Sequence, residues 1–495
     1  MADKLVRLTS TTSSPVSDDV KLALETILKK KPVYDLLYDY YRGNHPLRYS
    51  TERLKKAFSK IGVYFAQNWI SVVVDAVLDR LTLKGFDVSD NDELDNKLDE
   101  MWEDYEMGLL ADDVHEAATV VSEAYVIAWK EDAEPLEDGT PQETLDVYYN
   151  DPRMCHVFYD PYRPTKKRFA AKLWIDAKRY PCMLLYYPDR LEHYKAISPV
   201  SKLGEWITTA SNLQPDPEYG DNGIEPNEYG IIPVFHFRAG RTSGKKEIGQ
   251  SEISLQDAVN KLFADMMVGS EFSTFNQRAI IAQADPGNLK NEAGVNWFIP
   301  GGDGKGQAAS VIELGNKSLE NYIQAIDHVS QAMAIISRTP KHYLMLNGGD
   351  PSGDALLAME APLVKKVKKR IAGYDPEWKA LTCFMLLLEG VIIKKRDLTS
   401  VWEPVTSVQP LASAQTVKTE VEAGIPVITS VRRQGWSKDE MEQLDSDMKE
   451  DDKKQSKLAQ QELDRLRAES DASNNTNPDG SNDDVPPTNT KKVKK

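Results

Sequence analysis

Two long helical patterns on either side of a short β-rich segment place the strongest constraint on how this chain folds. Residues 247–282 carry apolar side chains at helical spacing, and residues 318–346 repeat that spacing from Ser318, a good N-cap residue. Residues 283–317 combine the strand-like pieces VNWFIP and SVIEL with the glycine-rich turn GGDGKGQ. Pro340 must bend or end the second helix, because proline lacks a backbone donor and clashes with the preceding turn. The pattern predicts a helix, a small β insertion and a second helix.

The part of the chain before this unit predicts a mixture of helices and strands. Residues 20–132 follow a helical pattern, whose strongest stripe runs from Ile70 to Leu81 and ends at Gly85. From 145 to 238 the apolar period shortens toward two, and turn formers separate the β-rich segments. These segments are DVYYN, HVFYD, FAAKLWID, CMLLYYP and IIPVFHF. They predict an antiparallel meander, so the fold class is α+β and mainly helical.

The part after this unit predicts a polar loop followed by further helices. The loop, residues 347–354, is rich in glycine, which permits backbone conformations that other residues resist. A mixed helix over 355–371, an apolar helix over 378–393 and charged helices over 411–467 follow. The two ends, residues 1–19 and 468–495, lack periodic apolar side chains and are expected to form a flexible arm and a disordered tail.

Composition excludes several broad classes of protein. The chain has 495 residues and a formal net charge of -16. This charge argues against a free-standing basic DNA-binding protein, because generic duplex affinity comes from Lys and Arg, but it is compatible with a protein that encloses DNA. No apolar run approaches the ~20 residues that span a bilayer, and the N-terminus lacks the apolar core of a secretory signal. Three widely spaced cysteines indicate a reduced, intracellular protein.

Motifs for catalysis are incomplete. The segment AGRTSGK (239–245) nearly matches a phosphate-binding loop, but Lys246 stands where Ser or Thr must bind magnesium. The segment HEAAT (115–119) lacks the second histidine of a zinc-protease helix. We therefore expect no enzymatic activity, no metal and no cofactor. Because Asp and Glu are abundant, a carboxylate- and metal-dependent nucleic-acid-processing enzyme is the alternative.

Six segments, in order along the chain, resemble the portal proteins of long-tailed bacteriophages. They are YYRGNHPL (40–47), NWISVVVDAVLDRLTLKGF (68–86), GQSEISLQDAVNKLFAD (249–265), SRTPKHYL (337–344), PSGDALLAME (351–360) and EAGIPVITSVRRQGWSKDEMEQ (422–443). The similarity covers about residues 35–445 and depends on the order and spacing of these segments together. It implies a wing, a two-helix stem, a clip between the stem helices and a crown. The implied parts are a wing at 20–246, stem helices at 247–282 and 318–346, a clip at 283–317, a channel loop at 347–354, wing-side helices at 355–410 and a crown at 411–467.

The resemblance also implies a role and a set of partners. Portal proteins form rings, usually of twelve subunits, at one capsid vertex, and double-stranded DNA enters and leaves through the ring. The implied protein partners are the large subunit of terminase, a head–tail adaptor, the major capsid protein and the scaffold. The implied location is the virion, assembled in the host cytoplasm, with no membrane contact.

One polar face of the second stem helix is the candidate wall of the channel. Glu320, Gln324, Asp327 and Gln331 recur at i, i+4, i+7 and i+11, which places them together on a helix. A wall that carries carboxylates would repel the DNA backbone and preserve a layer of water and ions. A contact between subunits and an ordinary solvated face are the alternatives.

Three other groups of residues have candidate roles because they stand at the corresponding positions of the resembled family. The channel loop would act as a mobile gate, or as a plain connection, through Asn347, Gly348, Gly349, Asp350, Ser352, Gly353 and Asp354. A basic run, which ends at Arg370, would face DNA or pair with carboxylates of a neighbouring subunit through Lys365, Lys366, Lys368 and Lys369. The clip would dock the motor or the adaptor, or form its own small core, through Asn296, Trp297, Phe298 and Ile299.

Overall fold

The computed structural model describes most of the chain. The described residues are 17–45, 67–88, 91–133, 142–200, 210–220, 222–240, 244–274, 278–281, 310–313, 319–344, 352–406, 410–434, 436 and 438–474. The chain divides into two compact units, Met1–Thr406 and Ser407–Lys495. Among the described helices, none combines the length and apolar character that a bilayer span requires.

Seven described helices belong to the first unit. They are α1 Asp18–Tyr41, α2 Trp69–Leu78, α3 Asp92–Asp104, α4 Met107–Val120, α5 Gln250–Thr274, α6 Glu320–Ser337 and α7 Gly353–Leu388. Polar side chains cap several of them, because the first backbone N–H groups of a helix have no partner within it. Asn68 accepts a hydrogen bond from the backbone of Ser71 at the start of α2, and Asn91 accepts one from Leu94 at the start of α3.

Among the described residues of the first unit, the strands form four antiparallel sheets. They are β1 Leu83–Val88, β2 Ala124–Ala133, β3 Gln142–Asn150, β4 Cys155–Tyr159, β5 Lys167–Ile175, β6 Pro181–Tyr186, β7 Arg190–Ala196, β8 Leu213–Pro215, β9 Ile224–Pro226, β10 Val234–Phe237, β11 Arg278–Ile281, β12 Ser310–Glu313 and β13 Leu398–Trp402. The largest sheet has the order β4-β5-β6-β7-β8, with β9 also paired to β7. The other sheets are β10-β2-β3, β1-β13 and β11-β12. The α+β class is confirmed. The predicted antiparallel meander is confirmed for HVFYD, FAAKLWID and CMLLYYP, which form β4, β5 and β6, whereas DVYYN and IIPVFHF belong to the separate sheet β10-β2-β3.

Two of the strands fall within the region that was predicted to be helical up to residue 132. β2 begins at Ala124, and its first five residues are all buried, so no alternation of polar and apolar residues marks it as a strand. β1 contains Gly85, whereas α2 already ends at Leu78. The predicted helix end at Gly85 is therefore wrong, and the apolar stripe that passes Leu81 continues into a strand.

The long helix α7 forms the centre of the main core. Tyr374, Trp378 and Leu381 have no exposed surface, and they pack with apolar residues of α2, α4, β2 and β10. The sequence predicted two helices here, yet α7 continues through Pro362 and Pro376. Proline weakens a helix interior by removing one hydrogen bond. Buried aromatic side chains on both sides of Pro376 hold the helix together at that point.

The described residues of the second unit form helices in the region where the sequence predicted charged helices. They are α8 Pro410–Glu422, α9 Val427–Arg433 and α10 Lys438–Asn474. The Ser430 hydroxyl donates to the Glu420 carboxylate at 2.6 Å, which ties α9 to α8. α10 extends beyond residue 467, so its last turns occupy the beginning of the predicted disordered tail.

Candidate functional site

The helices α5 and α6 form an antiparallel hairpin with a β-stranded tip. A Cβ atom added at Gly269 would lie 3.6 Å from Leu319, whereas Leu255, nearer the start of α5, packs with Met333 and Ala334 near the end of α6. Beyond the helices, β11 and β12 pair in antiparallel register, with Arg278 opposite Glu313 and Ile281 opposite Ser310. The structure thus has the helix–β–helix unit that the sequence predicted.

The boundaries of this hairpin differ from the prediction. α5 ends by Thr274 in place of residue 282, because RAII at 278–281 forms a strand that suits its two β-branched isoleucines. α6 ends at Ser337, three residues before Pro340, so proline acts as the predicted stop. At ~1.5 Å per residue the two helices are about 37 Å and 27 Å long.

Side chains of α5 fasten the base of the hairpin to the first helices of the chain. The Gln256 side-chain carbonyl accepts hydrogen bonds from the backbone N–H groups of Trp69 at 2.8 Å and Ile70 at 3.2 Å. Gln256 therefore supplies partners to the N-terminus of α2, and it has no exposed surface. The Tyr40 hydroxyl of α1 donates to Asp257 at 2.7 Å. These contacts fix the direction in which the hairpin leaves the helices α1 and α2.

A buried ion cluster joins both helices of the hairpin to α7. We call Glu247, Lys366, Arg370 and the Ser337 carbonyl the basal cluster. Lys366 Nζ lies 2.9 Å from Glu247 Oε2 and donates to the Ser337 carbonyl at 2.8 Å. Arg370 Nη2 lies 2.5 Å from Glu247 Oε1. Since Glu247 precedes α5 and Ser337 ends α6, the cluster ties the start of one helix and the end of the other to the same two turns of α7.

The charges of the basal cluster are strongly coupled. Burial disfavours the carboxylate, but the neighbouring charges of Lys366 and Arg370 lower the pKa of Glu247. Burial lowers the pKa of Lys366, and the carboxylate of Glu247 offsets only part of that effect. One carboxylate therefore holds two buried cations in place.

The basal cluster corrects the DNA-facing position predicted for two members of the basic run. Lys366 has 9% and Arg370 has 3% of its side chain exposed, and both bind the Glu247 carboxylate of their own chain. Lys365, Lys368 and Lys369 are exposed on α7. Their role toward DNA stays a prediction.

The predicted wall residues share one face of α6. Glu320, Gln324 and Gln331 are exposed and Asp327 is half-buried, whereas Ser330 and Met333 on another face are buried. The helix thus presents these polar side chains away from its packed side. That they line a channel stays a prediction.

The predicted channel loop lies partly outside the described residues. This applies to Asn347, Gly348, Gly349 and Asp350. Ser352 is the N-cap of α7, with its hydroxyl oxygen accepting from the Ala355 backbone at 3.4 Å. Gly353 and Asp354 belong to the first turn of the helix, so the predicted loop ends two residues too late.

The predicted docking residues of the clip, Asn296, Trp297, Phe298 and Ile299, lie outside the described residues, and their role stays a prediction. Within the ranges that the structure describes, no group of three His, Cys, Asp or Glu side chains is arranged to hold a metal ion.

Sequence reasoning missed a second buried ionic network, which joins α1 to the two larger sheets. Glu123 lies 2.7 Å from Lys30 Nζ, accepts a hydrogen bond from the Tyr34 hydroxyl, and lies 3.4 Å from His236 Nε2. Burial opposes ionisation of Glu123, but His236 and Lys30 hold its pKa far below the usual range. A single charged residue, Glu123, within the mostly apolar segment VVSEAYVIAW was the signal for this network.

Comparison with known proteins agrees with this geometry. The family model described as "Phage portal protein, SPP1 Gp6-like" matches residues 24–475. A portal protein of Mycobacterium phage L5 is 24% identical over 322 residues, which cover 62% of this chain and 61% of that protein. A portal protein of Mycobacterium phage D29 is 24% identical over 338 residues, which cover 64% of each. The alignments thus span less than two thirds of these relatives, whereas the family model spans nearly the whole chain. The chain belongs to the SPP1 Gp6-like family of phage portal proteins.

Proposed function

We propose that copies of this chain form a ring, of twelve subunits, at the unique vertex of a phage capsid, and that double-stranded DNA is packaged and ejected through its channel. The observation that carries this proposal is the antiparallel α5–α6 hairpin, tipped by β11 and β12 and anchored at its base by Gln256 and the basal cluster. In a member of the portal family, a rigid hairpin of this kind suits the stem that lines the channel.

The polar face of α6 gives the proposed wall its electrostatic character. In a ring of identical subunits, the copies of Glu320 form one circle of carboxylates and the copies of Asp327 form another. A small negative charge on each chain therefore adds up to a strong electric field in the channel. DNA binds surfaces by exchanging condensed counterions for Lys and Arg. A wall without such cations forms few lasting contacts, and the DNA slides through it. Gln324 and Gln331 add neutral polar groups to the same face.

We assign further roles to the segment between the two hairpin helices, to the loop after them and to the rest of the first unit. The segment of the sequence between β11 and β12, which includes Trp297 and Phe298, would dock the large subunit of terminase and later the head–tail adaptor. The loop that leads into α7 would act as a gate, and the exposed Lys365, Lys368 and Lys369 would contact DNA near it. The part of the chain before α5, the predicted wing, would contact the major capsid protein and the scaffold during assembly in the host cytoplasm. Hydrolysis of ATP belongs to the motor and not to this chain.

A packaging assay with charge-reversed rings tests the proposal. The variant carries Glu320→Lys and Asp327→Lys, and the matched control carries Asp451→Lys and Asp452→Lys, two exposed acidic positions on α10. We expect both proteins to form rings in negative-stain images, and only the first to slow DNA packaging by a purified motor. An unchanged packaging rate in the first variant would remove these residues from the wall.

A further inference from the structure

An apolar cleft lies between the end of α7 and the segment that precedes β10. It encloses about 560 Å³, and most of its lining side chains are aliphatic or aromatic. Those from α7, from just beyond it and from the segment before β10 include Phe384, Leu387, Ile392, Ile393, Ile231 and Ile232. Ile392 has 86% of its surface exposed, and Ile231 has 43%. Exposed apolar side chains that surround a cleft are typical of a surface that another chain segment covers.

The charged side chains of this lining already have partners within the chain. Lys167 Nζ lies 2.6 Å from Glu377 Oε1 and donates to the Val234 carbonyl at 2.9 Å. Lys395 Nζ donates to the Pro376 carbonyl at 3.4 Å. The cleft therefore offers an occupant apolar contact rather than unpaired charge. This disfavours a nucleic acid, whose phosphate groups need donors, and favours an apolar peptide segment.

Helix α1 begins beside the end of the sheet that forms one rim of the cleft. The carboxylate of Asp19, in the first turn of α1, accepts a hydrogen bond from the Tyr187 hydroxyl at 2.9 Å and lies 2.5 Å from Arg168 Nη2. These two partners are the chain neighbours of Pro188 and Lys167, which line the cleft. Because neighbouring residues of a strand point to opposite faces, the start of α1 and the cleft lie on either side of the same sheet end.

The residues before α1 carry an apolar group that can reach the cleft. Residues 1–16, which we call the N-terminal segment, lie outside the described residues, and their sequence contains Leu5, Val6 and Leu8 close together. At ~3.3 Å per residue, the chain from Leu8 to the helix cap Ser17 spans up to about 30 Å. Layers packed on opposite faces of one sheet lie about 20 Å apart, so this length is sufficient.

We propose that the N-terminal segment passes around this sheet end and places Leu5, Val6 and Leu8 in the cleft of its own chain. The apolar group covers the exposed side chains of Ile392 and Ile231 and removes their surface from water. A short covalent connection gives the segment an effective concentration on the order of millimolar, so a modest intrinsic affinity is sufficient. The segment thereby links α1 to α7. This contact forms within a single chain and does not require ring formation.

The reaction of Cys383 with a maleimide measures whether the cleft is covered. Cys383 lines the cleft and is half-buried, whereas Cys155 and Cys182 are buried, so their lack of reaction reports an intact fold. In the full-length protein, the combined changes Leu5→Ser, Val6→Ser and Leu8→Ser should speed the reaction of Cys383 about tenfold. The matched control carries Ser10→Ala, Thr11→Ala and Ser13→Ala and should react at the wild-type rate. A synthetic peptide ADKLVRLTS, added to the triple-serine variant, should slow the reaction again.

A change on the wall of the cleft should have the same effect as the change in the segment. Ile392→Ser removes an exposed apolar side chain and should also speed the reaction of Cys383. Leu458→Ser makes a similar change at an exposed position of α10 and should leave the rate unchanged.

A disulfide locates the segment directly. Under mild oxidation, Val6→Cys should form a disulfide with Cys383 within one chain, which mass spectrometry of a digest detects. Ser14→Cys is the matched control, because it stands only three residues before Ser17 and on the far side of the sheet end from the cleft. Its thiol should stay reduced under the same conditions.

Three results would overturn the proposal. The first is equal reactivity of Cys383 in the wild type and the triple-serine variant, which would leave the cleft to an occupant outside this chain. The second is a disulfide yield for Val6→Cys no higher than that for Ser14→Cys. The third is a disulfide that joins two chains, which would assign the cleft to the N-terminal segment of a second copy. Neither readout depends on a ring, so these failures are separate from a failure of the proposed function.

Discussion

Neutralising Glu247 should loosen the whole base of the α5–α6 hairpin. Glu247→Gln preserves the shape of the side chain but leaves Lys366 and Arg370 buried without a counter-charge. Breaking a buried ion pair by removing one partner destabilises a protein by about 3–5 kcal/mol. Burial already lowers the pKa of Lys366, so this lysine can release its proton when the carboxylate is lost. We therefore expect a decrease of about 3 kcal/mol in the free energy of unfolding, at the lower end of that range.

Urea unfolding followed by tryptophan fluorescence measures this decrease, and two further variants control for its cause. Lys365→Met changes an exposed neighbour on the same helix and should alter stability by no more than about 0.5 kcal/mol. Adding Lys366→Met to Glu247→Gln removes one uncompensated cation and should restore part of the loss. Hydrogen exchange should increase around residues 248–253 and 333–337 in Glu247→Gln. A loss below about 1 kcal/mol, or a double variant less stable than Glu247→Gln, would refute the reasoning.

The remaining predictions concern acid stability and close packing. Burial lowers the pKa of His115 to about 4, whereas the pKa of a histidine in the unfolded chain is near 6.5. Between pH 6.5 and pH 4 the unfolded chain therefore binds more protons than the folded chain. Acidification across that range should lower the free energy of unfolding by up to about 3 kcal/mol. Urea unfolding at several pH values should show this decline in the wild type, with a smaller slope in His115→Gln; identical slopes would rule out His115 as the cause. A Cβ atom at Gly373 would lie 2.8 Å from the backbone of Ala239, so Gly373→Ala should destabilise the first unit by about 1–3 kcal/mol. Gly269→Ala meets only ordinary contacts and should raise helix stability by up to about 1 kcal/mol; equal thermal midpoints for the two variants would contradict this difference.

Sequence periodicity predicted the elements of this fold better than it predicted their long-range contacts. The hairpin could be foreseen because α5 and α6 both carry apolar side chains at helical spacing, and Pro340 marks a stop within three residues of the observed end of α6. The strand β2 could not be foreseen, because a strand that is buried on both faces has no alternation of polar and apolar residues. The continuity of α7 through Pro376 depends on Trp378 and Tyr374, whose burial is set by other elements.

The basal cluster shows that the sequence also fails to predict the long-range contacts of candidate site residues. Lys366 and Lys365 are adjacent in a basic run, and nothing local distinguishes them. Their different environments come from Glu247, which lies 119 residues before Lys366 in the chain and binds Lys366 rather than its neighbour Lys365. Charge runs on a helix therefore predict a charged surface, whereas the pairing of each residue depends on tertiary structure.

An averaged top view of the purified particle by electron microscopy tests the central claim most directly. The account predicts a closed ring of identical subunits, with the α5–α6 hairpins surrounding a central hole wide enough for a DNA duplex. Single chains, or assemblies in which these hairpins lie apart and enclose no passage, would contradict it.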